Sequence, residues 1–167
     1  TDWWWYHLWQ HDLVFSVDCF DYRSNVIKET PYRRIFARNN LPNIYNGLMY
    51  FRRSKKAQQF YNTARDIVTN WKEVQSNMLI NCHDKYPSTD VVFALSYRIM
   101  DPTCRGLVDY EWFKFLHHKS SVNNLQHTRN QNEYLFPNKT GNAIYLGDKR
   151  VSRVWHYFDK EINVRSV

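Results

Sequence analysis

The fold is decided by one stretch of the chain, Ile44-Tyr45-Asn46-Gly47-Leu48-Met49-Tyr50-Phe51-Arg52, which is closely followed by Ser54. The stretch is mostly apolar, as internal strands of α/β proteins are, so we expect a strand. Ser54 is a favoured N-cap residue and predicts that a helix begins directly after it. The apolar residues that follow recur at helical spacing on one face. They are Ala57, Phe60, Tyr61, Ala64, Ile67, Val68 and Trp71. A strand followed by an amphipathic helix is the repeating unit of an α/β domain.

Three elements are predicted before this unit. Residues 3–11 suit a short helix with Asp2 as its N-cap. Residues 13–20 are rich in β-favouring side chains and predict a strand. The polar and basic residues 22–40 predict a loop and then a short helix, which cannot continue through Pro42.

A second long helix is predicted over residues 90–100. Ser88 or Thr89 would cap it, and Pro102 would end it. Its apolar residues surround the helix nearly completely, so we expect it to be buried.

The remaining segments are shorter. Residues 110–118 are apolar and aromatic and predict either a strand or a short helix. Residues 119–142 are rich in Asn, Gln and Ser and predict a surface loop. Strands are predicted over residues 143–146 and 151–158. Since no repeat or domain boundary is evident, residues 1–167 are interpreted as a single α/β domain, or half of one.

Composition narrows the classes of function. The hydrophobic share of 43% and the charged share of 23% are those of a globular protein. Glycine occurs only four times, and neither glycine-rich phosphate-loop motif can be written anywhere. The net charge of +7 suits an anionic partner such as nucleic acid, a nucleotide or a membrane surface. Solubility alone explains such a charge equally well.

Cysteine usage and hydropathy predict the compartment. The three cysteines are widely spaced without a C-x-x-C motif, which favours a reducing compartment. No apolar run approaches the ~18 residues of a membrane span, and no signal peptide is evident. We therefore expect a soluble, cytoplasmic protein without a membrane span.

The order of elements resembles that of GT-A type nucleotide-sugar glycosyltransferases, especially phage-encoded members. In that family, a strand with an Asn-x-Gly-like entry leads to a long amphipathic helix with a late Trp, and an acidic residue opens the next helix. The matching residues here are Leu41-Pro42 through Gly47, then Trp71, then Ser88-Thr89-Asp90-Val91-Val92. A late segment, His156-Tyr157-Phe158-Asp159-Lys160, resembles the end of the family's donor site.

The resemblance implies a Rossmann-related mixed sheet flanked by helices. It also implies a sugar transfer from a nucleotide sugar to a hydroxyl acceptor, assisted by Mn²⁺ or Mg²⁺. In the cytoplasm of a phage-infected host, a modified DNA base would be a fitting acceptor.

The family pattern also implies roles for single residues. His156 would ligate the metal, while Lys160, Asn46 and Gly47 would bind the donor. Asp90 would point into the active site as the catalytic acidic residue.

On the acceptor side, the resemblance implies His117 and Lys119. Structural roles stay open for all of these residues. His156 suits a strand histidine, Asp90 suits the electrostatics of a helix start, and Lys119 suits an exposed cation. The hypothesis depends on His156 and Asp90 converging on a single cleft.

One expected feature is missing from the sequence. GT-A enzymes hold their metal through an Asp-x-Asp motif that precedes the matching region, and the chain contains no Asp-x-Asp. The chain also starts at Thr1 without a Met. We therefore expect a fold incomplete at its amino terminus, with the nucleotide-binding half before Thr1. A degenerate, inactive relative is the other explanation.

The alternative function is a non-catalytic nucleic-acid-binding or virion-associated module. It depends on two basic clusters with aromatic residues between them. The clusters are Arg33, Arg34 and Arg38, and Arg52, Arg53, Lys55 and Lys56. Cations at the start of a helix oppose its dipole and suit a bound phosphate, although a solvated basic face is the commoner explanation.

Two further patterns near the amino terminus have ordinary explanations. The aromatic run over residues 3–9 could stack on sugars or bases, but burial in the core is favoured. His7 and His11 have the spacing of a metal-binding pair without a third ligand nearby, so packing is favoured.

Overall fold

The computed structural model describes residues 2–21, 24–27, 33–118, 138–146, 149–157 and 165–166. The chain divides into two compact units. The first comprises residues 1–18 and 29–113, and the second comprises residues 19–28 and 114–167. The chain contains both helices and short sheets, so the predicted α/β class is confirmed at this coarse level. The finer GT-A architecture and the single-domain organisation stay predictions.

The first unit contains the helices and two strands. Its elements are α1 (Asp2–Leu8), β1 (Leu13–Val17), α2 (Arg34–Arg38), β2 (Ile44–Phe51), α3 (Lys55–Thr69), α4 (Trp71–Met78), α5 (Thr89–Met100) and a 3₁₀ turn (Glu111–Phe113). The longest of the described helices is α3 with 15 residues, and no described helix is suited to crossing a membrane.

Strands β1 and β2 form an antiparallel pair, from Leu13 opposite Phe51 to Val17 opposite Ile44. The expectation that β2 is an internal strand of a larger sheet is wrong for the described residues, because β1 is its only partner there. The apolar composition of β2 has another cause, since apolar side chains of the strand pack into two different clusters. Ile44 belongs to the core with α3 and α5, while Leu48 packs with α1 and the 3₁₀ turn.

The first strand is shorter than the predicted residues 13–20. It ends at Val17, and Asp18 follows with a left-handed backbone (φ 61°). That conformation does not continue a strand.

The helix after Ser54 is confirmed. The Ser54 hydroxyl accepts the Ala57 N–H at 3.1 Å, as an N-cap should. The predicted apolar face is too long at its end, however. Val68 is 50% exposed, and Trp71 begins α4, a helix that the sequence analysis did not predict.

Helix α5 begins within one residue of its predicted start and ends before Pro102. Its buried face packs against α3, where the rings of Phe15, Phe60 and Tyr97 meet at centroid distances of 5.2 to 6.0 Å. Burial on nearly all sides was predicted, and this is wrong at Ile99, which is 44% exposed.

The second unit contains short strands. Strand β3 (Leu116–His118) pairs in parallel with β7 (Trp155–Tyr157). A four-stranded sheet has the order β6-β5-β4-β8. Its strands are β4 (Asn138–Thr140), β5 (Ala143–Leu146), β6 (Lys149–Arg150) and β8 (Arg165–Ser166).

The predictions for this unit are confirmed in part. Strand β5 has its predicted bounds. The predicted strand over residues 151–158 is wrong at its start, because regular pairing begins only at Trp155, and residue 158 lies outside the described residues. The predicted loop is wrong after residue 137, where β4 and a turn with Gly141 at φ 58° form a hairpin with β5. Residues 119–137 of that loop lie outside the described residues.

Candidate functional site

Asp90 lies at the start of α5, and both of its carboxylate oxygens are engaged. Oδ1 accepts the backbone N–H of Asn46 at 2.8 Å, and Oδ2 accepts Nη2 of Arg33 at 2.9 Å. The Asp90 side chain is nevertheless 22% exposed. The structure therefore brings together two residues that the sequence assigned to one site, the catalytic Asp90 and the donor-binding Asn46.

A bulge in β2 makes this contact feasible. Phe15 pairs with Met49 and Ser16 pairs with Tyr45, so Asn46, Gly47 and Leu48 have no partners in β1. The Asn46 N–H is therefore available to a side chain outside the ribbon. Bulges of this kind are frequent next to active sites because they re-aim backbone and side-chain groups.

Arg33 belongs to this site, although the sequence pattern placed it in a basic surface cluster. Its side chain is only 2% exposed, and Nη1 donates to the Ile44 carbonyl at 2.9 Å. Its guanidinium lies over the rings of Tyr45 and Phe36, with its central carbon 3.3 and 4.3 Å from the ring centroids. The interpretation of Arg33, Arg34 and Arg38 as a nucleic-acid-binding cluster is wrong at Arg33, because this cation is buried against Asp90. No local signal separates Arg33 from its exposed neighbour Arg34.

The second unit brings together two other predicted residues. His117 and His156 occupy directly paired positions in β3 and β7. Their backbones are therefore adjacent, at the ~4.8 Å spacing of neighbouring strands. His117 is half-buried, with its ring centroid 5.9 Å from that of Phe115.

The other late site residues are not tested. Lys119 and Lys160 lie outside the described residues, and of His156 only the backbone is described. Asp90 belongs to the first unit and His156 to the second, so their convergence on one cleft stays a prediction. In the part of the chain that is described, no three His, Cys, Asp or Glu residues form a group that could hold a metal.

His7 in α1 and His11 after it have the packing roles that were favoured. His11 Nε2 and the Tyr110 hydroxyl form a hydrogen bond of 2.8 Å, whose direction depends on the tautomer. Burial, aided by the charges of Lys56 and Arg52, lowers the pKa of His11. The His7 ring meets Trp3 edge-on at 4.6 Å.

A second candidate surface lies where α1, the end of β2 and the start of α3 meet. One pocket of about 670 Å³ is lined by residues 51–55 together with Ala57, Gln58 and Tyr61. A second pocket of about 540 Å³ shares residues 51–54 with it and is completed by Trp5, Trp9 and Tyr50. We term these two adjoining pockets the aromatic groove.

The aromatic rings at this groove are exposed. Trp5 is 59% exposed, Trp9 68% and Phe51 55%. The expectation that residues 3–9 are buried in the core is therefore wrong for most of the run. Of the aromatic side chains in this run, only Trp4 packs against a buried cluster, beside Leu8 and Phe113.

Arg52 connects the segment after α1 to the end of β2 at the base of the groove. Nε of Arg52 donates to Asp12 at 2.9 Å, and Nη1 donates to the Trp9 carbonyl at 3.2 Å. Hydrogen bonds from Arg52 and Ser54 lower the pKa of Asp12. These contacts join the end of α1 to the end of β2, so the rings are held by a connected scaffold.

Comparison with protein-family models, curated proteins and solved structures found no match to this chain.

Proposed function

We propose that this chain belongs to a nucleotide-sugar glycosyltransferase of the GT-A type, in which Asp90 lies at the reacting sugar. One observation supports this proposal most. A carboxylate is held rigidly beside the bulge of β2, by a backbone N–H and by a buried guanidinium, and it keeps 22% of its side chain accessible.

The chemistry follows from the remaining hydrogen-bonding capacity of this carboxylate. Its two oxygens offer about four lone-pair directions, and Asn46 and Arg33 occupy two of them. A hydroxyl of the acceptor or of the donor sugar can donate to the others. Because both partners of Asp90 are fixed, the carboxylate is positioned before a substrate arrives, and such positioning lowers the barrier to transfer.

His117 and His156 belong to the same proposal. Their paired strands put the proposed acceptor-side residue beside the proposed metal ligand. A divalent cation would stabilise the departing diphosphate. Among the described residues, no three His, Cys, Asp or Glu side chains form a group that could hold the cation, and of His156 only the backbone is described.

The test measures release of nucleoside diphosphate from a panel of nucleotide sugars with Mn²⁺ or Mg²⁺. The protein is expressed with any sequence that its gene encodes before Thr1. Asp90→Asn is expected to lower the rate by about 100-fold or more, the usual size of an acid–base or positioning defect. Removal of the imidazole by His156→Ala is expected to weaken activity sharply and to raise the metal concentration needed.

Two control variants separate chemistry from folding. Arg33→Gln breaks the same ion pair but leaves the carboxylate and its hydrogen bond from Asn46 in place, so activity per folded molecule should fall by less than in Asp90→Asn. Asp66→Asn changes a carboxylate that is 67% exposed and should have no effect. Equal activity losses in Asp90→Asn and Arg33→Gln would show that Asp90 acts only through the fold. No turnover with any nucleotide sugar would refute the proposal itself.

A further inference from the structure

The aromatic groove has the properties of a binding site, and its function does not depend on the proposed transferase activity. We infer that it binds a single-stranded nucleic acid, with bases stacked on Trp5 and Trp9 and phosphates bound by Arg53 and Lys55. Among the described residues, the groove is lined by the region from α1 to Trp9, by the end of β2 with residues 52–54, and by the first turns of α3.

The exposed tryptophans provide the stacking surface. Trp5 and Trp9 are four residues apart on α1 and its final turn, so they share one face of the helix. Four residues advance ~6 Å along a helix axis, whereas stacked bases rise ~3.4 Å per step. Two successive bases can therefore stack on the two rings only after they separate from each other. This favours an extended single strand over a duplex.

The cations provide the charge. Arg53 and Lys55 are exposed, and neither has an ion-pair partner among the described residues. By contrast, Arg52 is paired with Asp12 and holds the scaffold. The first turn of α3 contains no acidic residue, so the positive end of the helix and the cations reinforce each other. An anion that carries rings satisfies both properties of the groove.

Charge decides against two other occupants. A neutral oligosaccharide would stack on the rings but leave Arg53 and Lys55 uncompensated. A second copy of the chain would bring a net charge of +7 and, in a symmetric dimer, the same cations into the interface. A polyphosphate strand is complementary to the groove in charge and in its aromatic surface.

The experiment titrates the chain against a fluorescently labelled oligothymidylate and follows anisotropy at two salt concentrations. Trp5→Ala and Trp9→Ala should each weaken binding by about tenfold, which is typical of one lost stacking ring. The double variant Arg53→Ala/Lys55→Ala should reduce the slope of log affinity against log salt by about 1.4, because two phosphate contacts are lost. Thermal unfolding confirms that each variant is folded.

Matched controls use residues outside the groove. Tyr86→Ala removes an aromatic side chain that is 73% exposed, and Arg34→Ala/Lys72→Ala removes the same charge as the groove double variant. Both should bind like the wild type. Asp90→Asn, which should lower the rate of the proposed transfer by about 100-fold or more, should bind like the wild type under conditions where it is folded, so the two proposals fail separately.

Four outcomes of the titrations would overturn the inference, and two further results would assign the groove to another occupant. The four outcomes are no binding at low salt, equal losses in the groove and control variants, an unchanged affinity in the tryptophan variants, and equal binding of a duplex. A dimer seen by analytical ultracentrifugation that the oligonucleotide does not dissociate would assign the groove to a second copy. An oligosaccharide that displaces the oligonucleotide would assign it to a carbohydrate.

Discussion

Replacing Arg33 by Met tests whether the Arg33–Asp90 pair stabilises the first unit. Met keeps an unbranched side chain against Tyr45 and Phe36 but removes the guanidinium. The Ile44 carbonyl then loses a buried hydrogen bond, which costs about 1–3 kcal/mol. Asp90 keeps the Asn46 N–H and some water, since 22% of its side chain is exposed. We therefore expect a fall of about 3 kcal/mol in the free energy of unfolding, at the low end of the cost of breaking a buried pair.

Replacing the other partner, Asp90, should cost more. Asp90→Asn removes the carboxylate that accepts from Arg33 at 2.9 Å, in a site where only 2% of the Arg33 side chain is exposed. We expect a loss of about 3–5 kcal/mol, because removing one partner of a buried ion pair is strongly destabilising. The double variant should lose about 2 kcal/mol less than the sum of the single variants, since either single change already breaks the Arg33–Asp90 contact.

Urea unfolding followed by far-ultraviolet circular dichroism measures all three variants. The matched cycle uses Arg65→Met and Asp66→Asn, whose side chains are 70% and 67% exposed at 3.4 Å. That exposed pair should couple by less than about 0.5 kcal/mol. The reasoning is refuted if Arg33→Met costs less than about 1 kcal/mol, or if the buried cycle is additive within about 0.5 kcal/mol.

Two further predictions concern the helices of the first unit. Ser54→Ala should lower the free energy of unfolding by about 1 kcal/mol, because the Ala57 N–H loses its cap. Urea unfolding measures this loss, which should exceed the loss in the control variant Gln59→Ala on the exposed face of α3. An equal loss in both variants would contradict the capping role. Burial, with Asp101 and Cys104 nearby, raises the pKa of Tyr97 to about 12. Since the unfolded tyrosine ionises near 10, this residue's contribution to stability should be complete below pH 10 and lost as the pH rises towards 12. Tyr97→Phe should flatten that part of the pH–stability profile, and an unchanged slope would contradict the raised pKa.

Tertiary structure alone decided how the candidate sites are built. The family resemblance assigned Asp90 and Asn46 to one active site, but their direct contact across 44 residues is a tertiary feature, because the bulge of β2 leaves the Asn46 N–H available to the carboxylate. Arg33 looked like part of a solvated basic cluster, and its burial depends on Tyr45, Phe36 and Asp90 surrounding it. Composition near a residue does not encode such long-range packing.

The exposure of the rings at the aromatic groove likewise could not be predicted from the nearby sequence. An aromatic run usually indicates core burial, yet Trp5 and Trp9 are exposed because α1 turns only Trp4 and Leu8 towards a buried cluster. One missed element did have a local signal, since Gly141-Asn142 between two short polar and apolar stretches is typical of a hairpin turn.

By itself, the sequence determined the elements whose signals are local. The Ser54 cap, the helical spacing from Ala57 to Ile67 and the stop at Pro102 specify where α3 begins and α5 ends, because capping and periodicity act within a few residues. Tertiary structure decided which strand pairs with β2, which cation is buried and which rings face solvent. Those outcomes depend on contacts between segments far apart in the chain, and burial is a property of the folded assembly of segments.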